Sequence, residues 1–327
     1  MSDATTERPG RVIAIVGPTA VGKSAVAEHL SHRLGGEIVS ADSMQVYRGM
    51  DIGTAKTPAG ERAVPLHCVD VADPGTAFSA AVYQRIARDA IDDILGRGLL
   101  PVVCGGTGLY VRAALDDFEF PTGDGSTPSR QRLEALADVI GPDALHQRLA
   151  SIDPSSAARI HPNNLRRTIR ALEMAEEGAS YAEQAERFSV RRSVYDTAFI
   201  GLRMDRDRLY ARIDERVDAM MASGLLDEVR RLIDAGHRDA VTATQAIGYK
   251  ELVPVVEQGA PEDEAVATIK QATRRYAKRQ LTWFRADPRV VWLDVTELSS
   301  SEATAHTLDL VESLVHVSPA PTAEQRS

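Results

Sequence analysis

Cysteine is nearly absent: Cys68 and Cys104 are the only two in 327 residues, each in an apolar run that reads as a strand. That excludes a disulfide framework and predicts buried free thiols in a reducing compartment, the cytoplasm. Long apolar runs are missing too, and none approaches the roughly 20 residues a helix needs to cross a bilayer. The N-terminal MSDATTERPG lacks the basic-then-apolar plan of a secretory signal, and no internal repeat is visible. An excess of positive charge is also missing. The net charge of −9 argues against a protein coated in basic surface, although distribution matters more than the sum.

That distribution is uneven. Residues 266–285 carry Lys270, Arg274, Arg275, Lys278, Arg279 and Arg285 without one acid. On a helix, Lys270, Arg274 and Lys278 share one stripe, and Arg275 and Arg279 the next. A second basic group, Arg166, Arg167 and Arg170, follows HPNN. A solvated face accounts for one such cluster; two in an acidic chain favour a polyanionic partner.

What the chain does contain begins at residues 17–24, GPTAVGKS, which fits G-x-x-x-x-G-K-S/T. The strand-like RVIAIVG precedes it and the helix-periodic SAVAEHLSHRL follows. Gly17 and Gly22, with Pro18, Thr19, Ala20 and Val21 between them, form a loop whose N–H groups turn inward. Lys23 adds a full positive charge at the helix N-terminus, and the Ser24 hydroxyl is a candidate ligand for Mg2+. The pattern predicts a site for a diphosphate or triphosphate.

Strands are expected at Val12–Val16, Glu37–Ser40, Leu66–Val71, Leu100–Cys104, 196–204 and 290–295, alternating with helices. The helix after Ser79 should stop at Gly96 or Gly98. Such alternation implies an α/β fold, a P-loop NTPase-like parallel sheet with helices on both faces, and ligands at the carboxyl ends of its strands. The pattern breaks near Phe118. FPTGDGSTPS (residues 120–129) reads as a linker, and Arg130 to about Val190 is helical in period. The organisation read from this is a discontinuous core, 8–118 and 196–297, an inserted all-helical domain, 119–195, and a tail, 298–327, with a disordered end.

Asp42 lies just past the second strand, where a carboxylate could cap a turn, hold magnesium through water, or act as a base. The polar, glycine-bearing QVYRGMDIGTAK that follows reads as a functional loop beside the phosphate site. GGTGLYVRAAL (residues 105–115) offers close backbone approach at Gly105 and Gly106, and a hydroxyl at Thr107.

Taken in order, GPTAVGKS, DSMQVYRGMDIGTAK, GGTGLY, HPNN with RRTIRAL, AIGYKEL and RRYAKRQLTWFR resemble the tRNA isopentenyl (dimethylallyl) transferase family over about Arg11–Asp294. The resemblance implies a P-loop core with an insertion that grips the anticodon stem-loop. It implies transfer of a dimethylallyl group from dimethylallyl diphosphate to the N6 amine of the adenosine 3′ to the anticodon, position 37, with release of diphosphate. Gly17–Ser24 would then hold the diphosphate, with Mg2+ on Ser24 and Lys23 as the point charge, and Asp42 would be the general base. Thr107 matches a position that touches the target nucleotide. Asp42, Ser43, Met44 and Gln45, the segment Arg166, Arg167, Thr168, Ile169 and Arg170, and Arg130 match tRNA-contacting positions. Threonine often stands where Ser24 does, and either supplies the hydroxyl. Two scattered cysteines cannot form the zinc finger of eukaryotic relatives, so the bacterial form is expected, as a monomer. A P-loop small-molecule kinase with ATP bound explains Lys23, Ser24 and Asp42 equally well. An adenine-nucleotide isopentenyltransferase needs no anticodon grip, and a regulatory nucleotide-binding module needs no base. Whether Arg274, Arg275, Lys278 and Arg279 meet the diphosphate or tRNA phosphates stays open.

Overall fold

Six short segments, the central ones deeply buried, form one sheet in the computed structural model, which describes residues 10–118, 120, 127–238, 240 and 246–316. The strands are β1 (Arg11–Val16), β2 (Gly36–Ser40), β3 (Leu66–His67), β4 (Leu100–Gly105), β5 (Asp196–Arg203) and β6 (Val291–Asp294). Their order is β3-β2-β4-β1-β5-β6, and every pairing is parallel. Val12–Val16 are completely buried, as expected of a parallel strand covered on both faces. Five strands fall within one residue of their expected ends. The sixth does not: β3 stops at His67 rather than Val71. Cys68 and Asp70 take φ of 62° and 55°, which breaks the extended backbone a ladder needs. Both cysteines are nonetheless buried free thiols.

On one face, α1 (Lys23–Leu34), α8 (Arg206–Ala222) and α12 (Ser300–His316) pack their apolar side chains around Ile13, Ile15, Val102 and Ile200. α2 (Ala80–Gly96) is capped by the Ser79 hydroxyl, which accepts from the Val82 amide at 3.2 Å. It buries Tyr83, Ala87, Ile91 and Ile94 at helical spacing, and Gly98, at φ 73°, follows its end. α3 (Gly108–Leu115) stacks Tyr110 on Tyr83 with ring centroids 3.9 Å apart. Three more helices complete this unit: α9 (Leu225–Asp234), α10 (Tyr249–Gln258) and α11 (Glu262–Arg285).

The chain divides into two compact units, one reaching Asp116 and resuming at Ser193, the other spanning Asp117–Arg192. The second unit is helical: α4 (Pro128–Ile152), α5 (Pro154–Arg159), α6 (Leu165–Glu176) and α7 (Tyr181–Ser189). α4 is broken at Gly141, where φ is 80° ahead of Pro142. Leu133, Leu145, Leu149, Ile169 and Leu172 form this unit's own core. Most of the linker expected after Phe118 and the tail's SPAPTAEQRS end lie outside the described residues. Among the described residues no helix is long and apolar enough to cross a membrane.

Candidate active site

Register brings the three sequence motifs to one edge of the sheet. Val16 of β1 stands opposite Gly105 of β4, and Ser40 of β2 opposite Cys104. The chain therefore leaves β1, β2 and β4 at neighbouring carboxyl ends and delivers Gly17–Ser24, Asp42 and Thr107 together. The phosphate-type loop runs from β1 into α1, with Ala20 at φ 64° and Gly22 at φ 106°. No side chain caps α1, so its first amides are left for a ligand.

Thr19, Ala20, Gly22, Lys23 and Ser24 line a polar cavity of about 220 Å3, with Asp42, Gln45, Gly106, Arg212, Arg216 and Gln280 around it. Gly17, Pro18 and Val21 serve the loop in other ways. A side chain on Gly17 would meet the Leu202 carbonyl at 2.5 Å, Val21 is buried in the core, and the Pro18 carbonyl accepts from Lys23 Nζ at 2.6 Å. Burial pushes the Lys23 ammonium down to about 8, and the Arg216 guanidinium adds to this, while Cys104 and Asp42 oppose it.

Asp42 begins the turn after β2. Its Oδ1 accepts from the Met44 amide at 2.9 Å; its other oxygen has no hydrogen-bond partner among the described residues. Thr107 Oγ1 accepts from the Ser43 amide at 3.1 Å and lies 3.3 Å from Ser43 Oγ, to which it donates. The same backbone is pinned where the Thr107 amide donates to the Ala41 carbonyl at 3.1 Å. Gln45 is engaged at both ends of its amide, accepting from Ser40 Oγ at 2.8 Å and donating to the Thr54 carbonyl at 3.2 Å.

Asp42 also borders a second cavity, of about 260 Å3, which the sequence did not reveal. Its walls are apolar, from Ile213, Val217, Met220, Leu225, Ile247 and Ile269, and its polar rim includes Asp42, Arg216, Tyr276 and Arg279. Asp42 and Arg216 thus face both spaces. Arg216 sits one turn after Arg212 on α8. The i, i+4 pair was visible in RLYARIDERVD, but as many acids surround it and hide its direction. Burial lowers the Arg216 guanidinium from its ordinary range, Asp42 opposing and Arg212 adding. Gln280 was missed as well. It accepts from the Thr19 amide at 2.9 Å and donates to the Gly106 carbonyl at 3.0 Å, joining the phosphate-type loop to the end of β4.

Two motifs carry structural roles as well. The glycines of GGTG admit close protein packing: a Cβ would meet Ala41 backbone at 2.2 Å from Gly105, the Gln280 amide at 2.1 Å from Gly106 and the Trp283 ring at 2.0 Å from Gly108, while Gly105 and Gly106 also line the polar cavity. The DIGTAK loop lines the cavities, through Gly53 and Thr54 in the apolar one and Thr54 and Ala55 in the polar one, and it is also braced from a distance. Glu228 of α9, 1% exposed, accepts from the amides of Asp51, Ile52 and Gly53 at 2.9, 2.8 and 3.1 Å and from the Tyr249 hydroxyl at 2.6 Å. Lys56, also buried, donates to Asp51 at 2.9 Å, to Asp70 at 2.6 Å and to the Tyr47 carbonyl. The sequence reads this segment as a functional loop; its bracing was not legible there because the partners lie far away in the chain.

The basic stripe of α11 divides as well. Lys270 pairs with Asp218 at 2.6 Å and Arg274 with Asp214 at 2.7 Å, both on α8. Arg275, Lys278 and Arg279 are exposed and have no carboxylate partner among the described residues.

In the helical unit, Asn164 caps α6 by accepting from the Arg167 amide at 3.3 Å. Arg166 and Arg167 are exposed, whereas Thr168 and Ile169 are buried and turn their side chains into that unit's core. Arg130 and Arg170 both lean on buried Glu173, at 2.9 and 3.6 Å. Of the basic group, Arg166 and Arg167 are the side chains presented to solvent.

Known proteins share these features. The family model described as IPP transferase matches residues 45–287, and that described as isopentenyl transferase matches residues 10–62. The tRNA dimethylallyltransferase of Geobacillus thermodenitrificans is 50% identical over 288 residues, 88% of this chain and 91% of that protein. That of Bacillus subtilis is 47% identical over 307 residues, 92% of this chain and 97% of that one. The crystal structure of the tRNA isopentenylpyrophosphate transferase from Bacillus halodurans is similar at a TM-score of 0.68 and 45% identity, covering 94% of this chain and 98% of that one. A eukaryotic dimethylallyltransferase captured acting on tRNA is similar at a TM-score of 0.79 and 28% identity, covering 96% and 81%. With the phosphate-type loop, the β2 carboxylate and the flanking cavities in place, the chain belongs to the tRNA dimethylallyltransferase family, and it is a prenyltransferase.

Proposed function

We propose that this enzyme transfers the dimethylallyl group of dimethylallyl diphosphate to the N6 amine of the adenosine at position 37 of tRNA. The observation that carries this reading is the position of Asp42. One of its oxygens is held in a turn and the other is without a protein partner, at the meeting of a polar, phosphate-type cavity and an apolar one. A small-molecule kinase would need the second cavity for a hydroxyl-bearing acceptor, and its walls are mainly apolar. An allylic diphosphate has a polyanionic end and a five-carbon apolar end, and two adjoining cavities of opposite character suit both.

The diphosphate would lie in the loop of Gly17–Ser24, on the open amides of α1, with Lys23 and Arg216 supplying charge. The donor set around Ser24 is oxygen-rich: its hydroxyl faces the polar cavity that Asp42 also lines. This suits Mg2+, which binds through few protein oxygens and keeps phosphate oxygens and waters; among the described residues no cluster of three ligating side chains offers a softer site. Held by Ser24, the ion would supply neutralisation of charge on the departing diphosphate.

Adenine N6 is a weak nucleophile because its lone pair is delocalised into the ring. As N6 bonds to C1 of the allyl group, the C1–O bond breaks and its electron pair leaves with the diphosphate. The proton that N6 must lose passes to the free oxygen of Asp42. Thr107, through its hydrogen bonds to Ser43, holds the turn that aims this carboxylate. A stacked base cannot reach the cavity, so the adenosine is flipped in, and Arg166 and Arg167 of the helical unit hold phosphates of the anticodon stem-loop. Incubation with labelled dimethylallyl diphosphate and either anticodon stem-loop RNA or AMP tests the reading. Label in RNA supports it. Label in AMP alone would replace tRNA by a free nucleotide, and ATP turnover without prenyl transfer would restore the kinase.

A further inference from the structure

Glu228 lines neither cavity, yet the loop it holds lines both. Its carboxylate, buried on α9, meets four donors: the successive amides of Asp51, Ile52 and Gly53 and the Tyr249 hydroxyl. A buried carboxylate is costly unless its oxygens are filled, and here one short stretch of backbone does most of the filling. Burial, with Glu228 adding, pushes the Tyr249 hydroxyl well above its ordinary value, so it stays a donor across the neutral range. The Tyr249 ring also lies against Gly53, where a Cβ would be 2.5 Å from the ring. Glycine at 53 leaves room for both contacts.

The turn that Glu228 holds is closed on itself. The Ala55 amide donates to the Ile52 carbonyl at 3.0 Å, the Lys56 amide to the Asp51 carbonyl at 3.0 Å, and Thr54 Oγ1 to the Met50 carbonyl at 2.6 Å. It therefore shifts as one piece, and a displacement at its amides reaches Thr54 and Ala55 at the cavities. From Thr54 the contact continues to the base. The Thr54 carbonyl accepts from Gln45 Nε2 at 3.2 Å, while Gln45 Oε1 accepts from Ser40 Oγ at 2.8 Å, so this amide spans the turn that carries Asp42. Thr107 secures that turn from the β4 side through the Ser43 amide; Gln45 secures it from the loop side. The diphosphate cradle has a separate brace in Gln280, which joins the Thr19 amide to the Gly106 carbonyl.

We propose that Glu228, with Tyr249, is a positioning residue for prenyl transfer: through Thr54 and Gln45 it holds the Asp42 turn at the divide between the two cavities. This rests on the reading of Asp42 as the base. Displacing a reacting group by about 1 Å costs on the order of 10²-fold in rate. Glu228→Gln keeps the shape but turns an NH2 towards donors. It should lower the single-turnover rate constant for transfer to stem-loop RNA roughly 10- to 100-fold at saturating substrates, with the Kd for inorganic diphosphate unchanged. A rate constant, unlike its amplitude, does not depend on the fraction of folded enzyme, so lost stability alone leaves it unmoved. Tyr249→Phe keeps the ring on Gly53 and the three amide bonds, and should slow transfer roughly 2- to 10-fold, the weight of one hydrogen bond. In the double variant the two effects should fall short of their product, because both act through one carboxylate. A Glu228→Gln rate constant equal to that of wild type overturns the positioning role and leaves a scaffold. A parallel loss of diphosphate affinity overturns it too, since Glu228 would then support the cradle as much as the base. If Glu228→Gln does not fold, Tyr249→Phe decides, and an unchanged rate constant there overturns the role. Asp42→Asn enzyme that transfers at the wild-type rate overturns instead the reading of Asp42, and the positioning role with it.

Discussion

Titrating dimethylallyl diphosphate into the enzyme between pH 7 and 9.5 tests whether the phosphate-type loop works as drawn. Burial holds the Lys23 ammonium at about 8 rather than its ordinary 10.5. Below pH 8 Lys23 is charged and ready for an anion; above it the free enzyme carries neutral lysine. A bound diphosphate favours the charged form, so binding must take up a proton wherever free Lys23 has lost one. The uptake should be slight well below pH 8 and approach one proton per site well above it. The Kd should accordingly weaken as pH rises through 8, approaching tenfold per unit. If the bound diphosphate restores the full ordinary value of 10.5 from about 8, the loss at high pH totals on the order of 3 kcal/mol. Calorimetry in two buffers of different ionisation enthalpy reads the proton count, and Lys23→Met should bind weakly with no uptake. Proton release at pH 8–9, or a Kd flat to pH 9.5, would refute the placement of Lys23 on the diphosphate.

Three further outcomes are expected. Asp42→Asn should cut single-turnover prenyl transfer by about 10²–10⁴-fold while leaving stem-loop RNA affinity intact; parallel loss of both would make Asp42 a binding contact. Glu228→Gln replaces an acceptor of four hydrogen bonds by an amide whose NH2 faces donors. With at least one buried backbone donor left unpaired it should lower unfolding stability by about 1–3 kcal/mol in urea titrations, and an unchanged midpoint would refute the scaffold role of the DIGTAK loop. Arg166→Ala with Arg167→Ala should weaken stem-loop RNA binding and reduce the slope of log Kd against log salt by about 1–2; an unchanged slope would return both arginines to a solvated face.

The phosphate-type loop, the strand order of events along the chain and the helix caps were legible because each depends on neighbours in sequence. Ser79 caps the helix whose first turn follows it, and Gly22 takes the positive φ its loop requires. β3 was overextended because Cys68 carries no turn preference and Asp70, which does, stands between apolar residues that read as a continuing strand; both turn the chain. Thr168 and Ile169, matched as a segment with Arg166 and Arg167, face the opposite side of α6, because a helix carries two consecutive residues 100° apart.

Sequence by itself determined that an anion cradle, a carboxylate and a hydroxyl emerge from the ends of successive parallel strands, and which family the chain resembles. Only the tertiary structure decided how its charges divide. Lys270 and Arg274 close onto α8, whereas Arg216 opens onto two cavities. It also gave DIGTAK a structural role, since Glu228 reaches Gly53 across 175 residues. An ion pair or a cavity wall is a property of side chains from separate elements, and their directions exist only once those elements have packed.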